Sequence, residues 1–406
     1  MDTPRTPMSW PGYLAAMLAT AVLAVGAVGA FNALIDPLGA FGGPAIAGVN
    51  ARKPYLDHHR EQARWARARR ACAPAAIFGN SRAEIGFDPE HPAFAAHGTP
   101  AFNHAIPGTK ATTALRQLGW LEAAGCMPRL MVVGVDFFDF LGGEAMPLPA
   151  RDPHDDGPRT DAAFLAETVF SLSGLRDALQ TVAIQRASHP TTLTERGFNP
   201  LLNYVPEVAI SGHYVLFRQR ADENARRWMI RAPRLAPEGG GESIDQLVLE
   251  AMLDRAGATG GETHLVIYPY HAQIRLMIDG LGLNPLFDAW KRDLVARAGR
   301  RAALGERVVL WDFSGISETT REPIPPRGDK KTQLARYWEA GHFKKALGDR
   351  VLARVLGSDD EGFGIRLDAG NIDAHLAADA RAVEALKAAD AALVAETTDV
   401  LRAARR

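Results

Sequence analysis

No charged residue stands between Arg5 and Asp36. The run PGYLAAMLATAVLAVGAVGAFNALI inside that interval is longer than the ~20 apolar residues a bilayer-spanning helix needs, so the fold begins from a segment that water does not favour. A soluble core helix rarely continues this far with so few polar side chains. Small residues around Val28, Gly29 and Ala30 offer a signal-peptide cleavage site, but the apolar run continues past them to Ile35, which favours an uncleaved anchor. Arg5 is the one basic residue before the segment, and Arg52 and Lys53 lie well after it. Charge therefore does not orient the span, and the chemistry described below argues for the bulk of the chain lying outside the cytoplasm.

The remainder is long and apolar enough for one large α/β domain with an insertion or for two smaller domains. Lysine and arginine total 46 against 47 acidic residues. With no global positive field and no basic strip interleaved with aromatics, nucleic acid is not an expected partner. The two cysteines, Cys72 and Cys126, each shortly precede an apolar run, AAIFG and LMVVGV. If those runs are neighbouring parallel strands, the sulfurs meet at one edge of the sheet, and a disulfide suited to an oxidising compartment is expected. Two buried thiols are the plainer alternative.

Past a glycine- and proline-rich linker comes the basic helical stretch YLDHHREQARWARARRA, which reads as a solvated face. The pattern then changes to short apolar runs separated by helical segments. AAIFGNS (75–81), LMVVGVD (130–136), THLVIYPY (263–270) and RVVLWDFS (307–314) read as buried parallel strands. TTALRQLGWLEAAG reads as a connecting helix. Alternation of this kind predicts a doubly wound, mainly parallel α/β sheet whose site lies beyond the carboxyl ends of its strands. Residues 141–240 break the rhythm and read as an inserted helical cap. The expected organisation is a short cytoplasmic N-terminus (1–11), a transmembrane anchor (12–35), a linker and stalk (36–72), the sheet domain (73–357) and a helical tail (358–406).

Three sequence elements carry chemistry. In IFGNSRAEIGFDP, Ser81 follows an apolar strand at a turn able to expose its hydroxyl and a helix start able to offer N–H groups. A helix-capping serine is the ordinary reading of that element alone. In FNHAIPGTKA, the Gly108 amide and the Asn103 side chain are candidate donors to an oxyanion, although a loop glycine and a turn asparagine would look the same. In YWEAGHFKKALGDRVLARVLG, Glu339 precedes His342 by three residues. That spacing lets the carboxylate reach around one turn to the imidazole, which fixes the tautomer that takes a proton from serine. Asp136, His271 and Asp312 also stand near strand ends. Asp312 is an alternative orienting carboxylate and His271 a candidate wall of a substrate groove, and structural hydrogen bonding is the plainer role for each. No zinc-type cluster, Walker loop or dinucleotide fingerprint occurs, so neither metal nor cofactor is expected.

Taken in order, Gly79-x-Ser81, Asn103-x-x-x-x-Gly108 and Glu339-x-x-His342 resemble the SGNH, or GDSL-like, hydrolase superfamily over roughly residues 73–357. Within it the chain looks closest to membrane-anchored proteins that alter the acyl substituents of cell-envelope polymers, such as the D-alanyl transfer and alginate O-acetylation types. The resemblance implies a flavodoxin-like sheet and a single-pass inner-membrane protein with its bulk in the periplasm. It also implies a polysaccharide or other acylated glycan as substrate, and envelope biosynthesis proteins as partners. Ser81 is then the nucleophile, His342 the general base, Glu339 its orienting group, and Ser81, Gly108 and Asn103 the oxyanion donors. Esterase, transferase and catalytically silent glycan-binding scaffold all fit this pattern. Two residues depart from it. Glu339 stands where aspartate is common, and Asp136 stands where the family often places an asparagine donor. An ionised Asp136 cannot donate, and loss of one such donor typically costs about a hundredfold or more in rate.

Overall fold

The computed structural model describes residues 9–56, 58–97, 101–144, 148, 162–230, 232–358 and 362–405. Two compact units result, one of Met1–Arg67 with Pro158–Thr192 and one of Ala68–Gly157 with Leu193–Arg406. The expected insertion at 141–240 is thus not one body. Its helices up to Ile184 belong with the N-terminal segment, and those from Tyr204 onward belong with the sheet.

The first unit is built on the helix Trp10–Ile35, which is long and apolar enough to cross a membrane, with a mean hydropathy of 2.2. Ser9 caps its start and Asp36 ends it in a left-handed conformation. The last carbonyls do not go unpaired. Lys53 Nζ donates to Ile35 O at 3.0 Å and Asn50 Nδ2 to Leu34 O at 3.0 Å, placing a cation and an amide at the negative end of the helix dipole. Helices Ala162–Val169 and Leu172–Ile184 form a hairpin beside it. At the hairpin's base Phe164 packs with Leu38, Leu56 and Ala63.

Among the described residues the strands are, in chain order, β1 (Lys53–Pro54), β2 (Ala75–Phe78), β3 (Ala101–Asn103), β4 (Leu130–Val135), β5 (Thr192–Leu193), β6 (Glu262–Ile267), β7 (Arg307–Asp312), β8 (Tyr337–Glu339), β9 (His342–Phe343) and β10 (Ile365–Leu367). The second unit holds a six-stranded sheet in the order β10-β7-β6-β4-β2-β3, parallel throughout except for β10. The central strands β2 and β4 are almost wholly buried, which is why they read as unbroken apolar runs rather than as alternation. The chain steps from β2 to β3 on one side and returns to β4 on the other. A crevice at the carboxyl end of β2 follows from that reversal.

Cys72 and Cys126 are joined, with Cα atoms 5.0 Å apart. The parallel register that pairs Ala75 with Leu130 carries both residues to the same edge. The expected tail is instead part of the sheet unit. It adds the antiparallel strand β10 and the helices Ile372–Ala389 and Ala391–Ala404, which bury Leu376, Val383, Leu386, Val400 and Leu401.

Candidate active site

Ser81 opens the short helix Ser81–Gly86 directly after β2, with Asn80 as its cap: Asn80 Oδ1 accepts from Arg82 N at 3.1 Å. Gly79 is required just before it, because a Cβ there would come within 2.4 Å of Tyr268 Oη and 2.9 Å of Ala83 Cβ. His342 arrives from far along the chain. β8 and β9 form a hairpin closed by Ala340 and Gly341, in which Glu339 lies directly opposite His342. The pair is therefore held across a ladder, not around one turn of helix as the spacing suggested, since the chain stays extended until helix Lys345–Val355 begins. A second close approach sets the depth of the hairpin. A methyl on Gly348 would fall 1.7 Å from Gly86 O, and one on Gly86 would fall 1.9 Å from the Phe343 ring. Glycine at both places lets the two short helices touch.

The result is a continuous chain of hydrogen bonds. His342 Nε2 lies 2.8 Å from Ser81 Oγ, and His342 Nδ1 bonds Glu339 Oε1. Glu339 is fully buried, and it also accepts from Arg220 Nε at 3.1 Å and from the Gly341 amide. Burial alone would raise its pKa, but His342 and Arg220 outweigh burial and hold it down at about 2. An ionised Glu339 requires a proton on Nδ1, leaving Nε2 free to accept from the serine hydroxyl.

Ser81 and Gly108 share a cavity of about 50 Å³ with Asn80, Arg82, Asp136, Asp139, Asn224 and Trp228. Gly108 there takes a positive φ of 73°, the conformation that suits glycine. Asp136 is not an orphaned carboxylate. It bonds Arg82 Nη1, accepts from Tyr270 Oη at 2.8 Å and from Asn80 Nδ2 at 2.9 Å. Burial and Asp136 hold the Tyr270 phenol well above its usual value, so it remains a donor. Phe138 and Trp228 stack face to face at 3.5 Å along the cavity wall.

Asp139 is a carboxyl of this cavity, beside Asp136. Burial, reinforced by Asp136 and opposed by Arg82, raises it from 3.8 to about 7. A raised carboxyl keeps a proton in the folded state that the unfolded chain has released. Its contribution to stability is thus full below about pH 4 and is lost as pH rises through about 7. Asp139→Asn is expected to flatten that part of the stability profile, as read by urea denaturation across the window. An unchanged slope would assign the titration to another group.

One expectation about the site requires correction, and at two other residues the plainer structural role holds over the catalytic alternative. Asn103 is not an oxyanion donor: its Nδ2 donates to Ala83 O at 2.9 Å and Phe87 O at 2.8 Å, and Oδ1 accepts from Ala105 N at 3.0 Å, so the amide ties β3 to the helix that carries Ser81. His271 does not line the Ser81 cavity. It caps helix Ala272–Gly280, with Nδ1 accepting from Gln273 N and Nε2 donating to Glu322 O at 2.9 Å, and burial lowers its pKa to about 4, so it is neutral. Asp312 does not orient His342, because it is enclosed by Lys291 Nζ at 2.7 Å and His375 Nε2 at 2.8 Å.

Arg220, Arg82 and Asp139 were not singled out from sequence. The last two had a weak signal, Arg82 through adjacency to Ser81 and Asp139 through its three-residue offset from Asp136 in the strand-end GVDFFDF. Arg220 had none, since it reaches Glu339 only through the packing of helix His213–Trp228 against β8. Among the described residues no group of three or more His, Cys, Asp or Glu side chains is placed to hold a metal ion. Compared with family models, with curated proteins and with solved structures, the chain matches none.

Proposed function

We propose that this protein is an SGNH-type, serine-dependent acyl esterase or acyltransferase, anchored in the inner membrane and working on an exported or cell-envelope polysaccharide. The observation that carries the reading is the Ser81–His342–Glu339 relay, assembled from residues 261 positions apart in the chain. Hydrogen-bonded serine, imidazole and buried carboxylate are the arrangement that activates a serine nucleophile on unrelated folds, and this supports the reading. Ser81 attacks the ester carbonyl while His342 takes its proton. The tetrahedral anion is held by the Ser81 and Gly108 amides, without a third donor from Asp136, whose carboxylate is occupied by Arg82, Tyr270 and Asn80. His342 then protonates the leaving oxygen. Water as second nucleophile gives an esterase and a sugar hydroxyl gives a transferase, because both discharge the same acyl-enzyme.

The size and polarity of the cavity favour a short acyl group over a fatty chain. Asn224 Nδ2 is buried there without a partner, which suits an oxygen-rich substrate. The apolar helix Trp10–Ile35 and the Cys72–Cys126 disulfide both suit a protein exported to an oxidising space. A catalytically silent, glycan-binding scaffold is the second reading, favoured by the acidic Asp136 at a donor position.

Labelling of the full-length protein with a fluorophosphonate probe separates the two. Wild-type protein is expected to label at Ser81, with labelling lost in Ser81→Ala and His342→Ala. A folded wild-type protein that stays unlabelled would favour the scaffold.

A further inference from the structure

The helix Trp10–Ile35 is bare along most of its length, but the hairpin Ala162–Val169/Leu172–Ile184 packs on its last third. The contact reaches as far back as Gly29. A Cβ on Gly29 would lie 2.2 Å from the Phe170 ring, so the ring sits against the helix backbone. With Tyr13 at one interface, ~30 Å of hydrocarbon spans about 20 residues and ends near Ala33. Gly29 is then about 6 Å inside the hydrocarbon. Phe170, at the turn of the hairpin, shares that depth.

The turn has the chemistry of a segment that meets lipid. Phe170 is 56% and Leu172 81% exposed, though both are large and apolar. No charge occurs between Glu167 and Arg176, which stand on opposite arms about one helical turn from the tip. Arg176, with its long aliphatic stem, can reach the headgroups from there. A turn placed in hydrocarbon also needs its backbone satisfied from within the protein. Asn32, the buried amide near the end of the apolar helix, donates from Nδ2 to Val169 O at 2.6 Å and to Ser171 O at 3.4 Å. Ser171 Oγ in turn donates to Thr168 O and accepts from Gly174 N at 2.9 Å. The asparagine thus serves carbonyls that water would otherwise solvate.

We infer that the turn Val169–Leu172 is a second membrane-inserted element, with Phe170 and Leu172 among lipid acyl chains beside the spanning helix. The inference rests on reading Trp10–Ile35 as a membrane span and adds to it a point of insertion far along the chain. A rod that can rotate and tilt becomes a two-point anchor, which fixes the azimuth of the first unit on the bilayer.

The native cysteines are joined in the disulfide, so a single introduced cysteine is the one reactive thiol. Full-length Leu172→Cys, Val22→Cys and Ser188→Cys proteins, each labelled with the polarity-sensitive dye NBD, are reconstituted into phosphatidylcholine–phosphatidylglycerol vesicles containing doxyl-labelled lipid. The expected result is that position 172 behaves like position 22. It is quenched by doxyl lipid severalfold more than position 188 and is protected from external dithionite. Position 172 matching 188 while 22 is lipid-quenched would overturn the inserted turn and leave the span intact. Position 22 escaping lipid quenching would remove the span itself, and the inference with it.

Discussion

Glu339→Gln is expected to slow fluorophosphonate labelling of Ser81 by about 10⁴-fold while the protein stays folded. Glutamine matches the volume of glutamate but places an N–H group where an ionised oxygen now faces Nδ1. The imidazole is then driven to carry its proton on Nε2, where it cannot accept from Ser81 at 2.8 Å. Arg220 loses one of two carboxylate partners in the same substitution and keeps Glu223 at 2.7 Å, and because the pair with Glu339 is partly buried the relay loosens as well. Circular dichroism and the labelling rate constant, measured on the same preparation, check the outcome. A fall smaller than about tenfold, that is about 1.4 kcal/mol, would mean that Glu339 does not orient His342. Acid affects this contact only at the extreme. Glu339 has a depressed pKa, so its stabilising contribution is present above about 4.5 and is lost as pH falls toward about 2. Activity lost at milder acidity belongs to other groups.

Asp312→Ala is expected to destabilise the sheet unit by about 3–5 kcal/mol, the cost of stranding a buried charge. Lys291 is wholly inaccessible, and its nearest other acceptor is Asp379 Oδ2 at 3.5 Å, which Arg275 already engages at 2.8 Å. Asp312 keeps its carboxylate because Lys291 and His375 overcome the burial that would otherwise protonate it. It also accepts from the Ser314 amide and hydroxyl, so the substitution strands those donors too. Urea denaturation measures the loss. A change below about 1 kcal/mol would show that the cavity admits water to Lys291. Asp379 and His375 both come from helix Ile372–Ala389, so the same network makes the C-terminal segment part of the fold's interior.

Much of this architecture was legible from local pattern. β2, β4 and β6 announce themselves because strands covered on both faces need apolar runs, and β7, buried at alternate residues, still carries the run VVLW. β3 and β10, three residues each, are too short to leave a periodic signal. Ser81, Glu339 and His342 were readable because their order and spacing survive in one dimension. Asn103 was misassigned because nearness in sequence does not reveal where an amide points, and this one turns inward to backbone carbonyls. Asp312 shows the reverse: structural hydrogen bonding was its plainer reading at a strand end, and a lysine from helix Asn284–Ala303 supplies the partner that sequence could not name. The division of the insertion between two units was hidden because helical periodicity identifies a buried face without naming what covers it.

Ser81 and His342 come from opposite ends of the sheet unit, and synthesis delivers the N-terminal part first. While the chain is still being made, the serine has no base, so it is an ordinary alcohol. The hairpin that supplies Glu339 and His342 follows β7, after all the parallel strands exist. The Ser81–His342–Glu339 relay can therefore close only after the last parallel strand has been made, and until then Ser81 has no imidazole beside it.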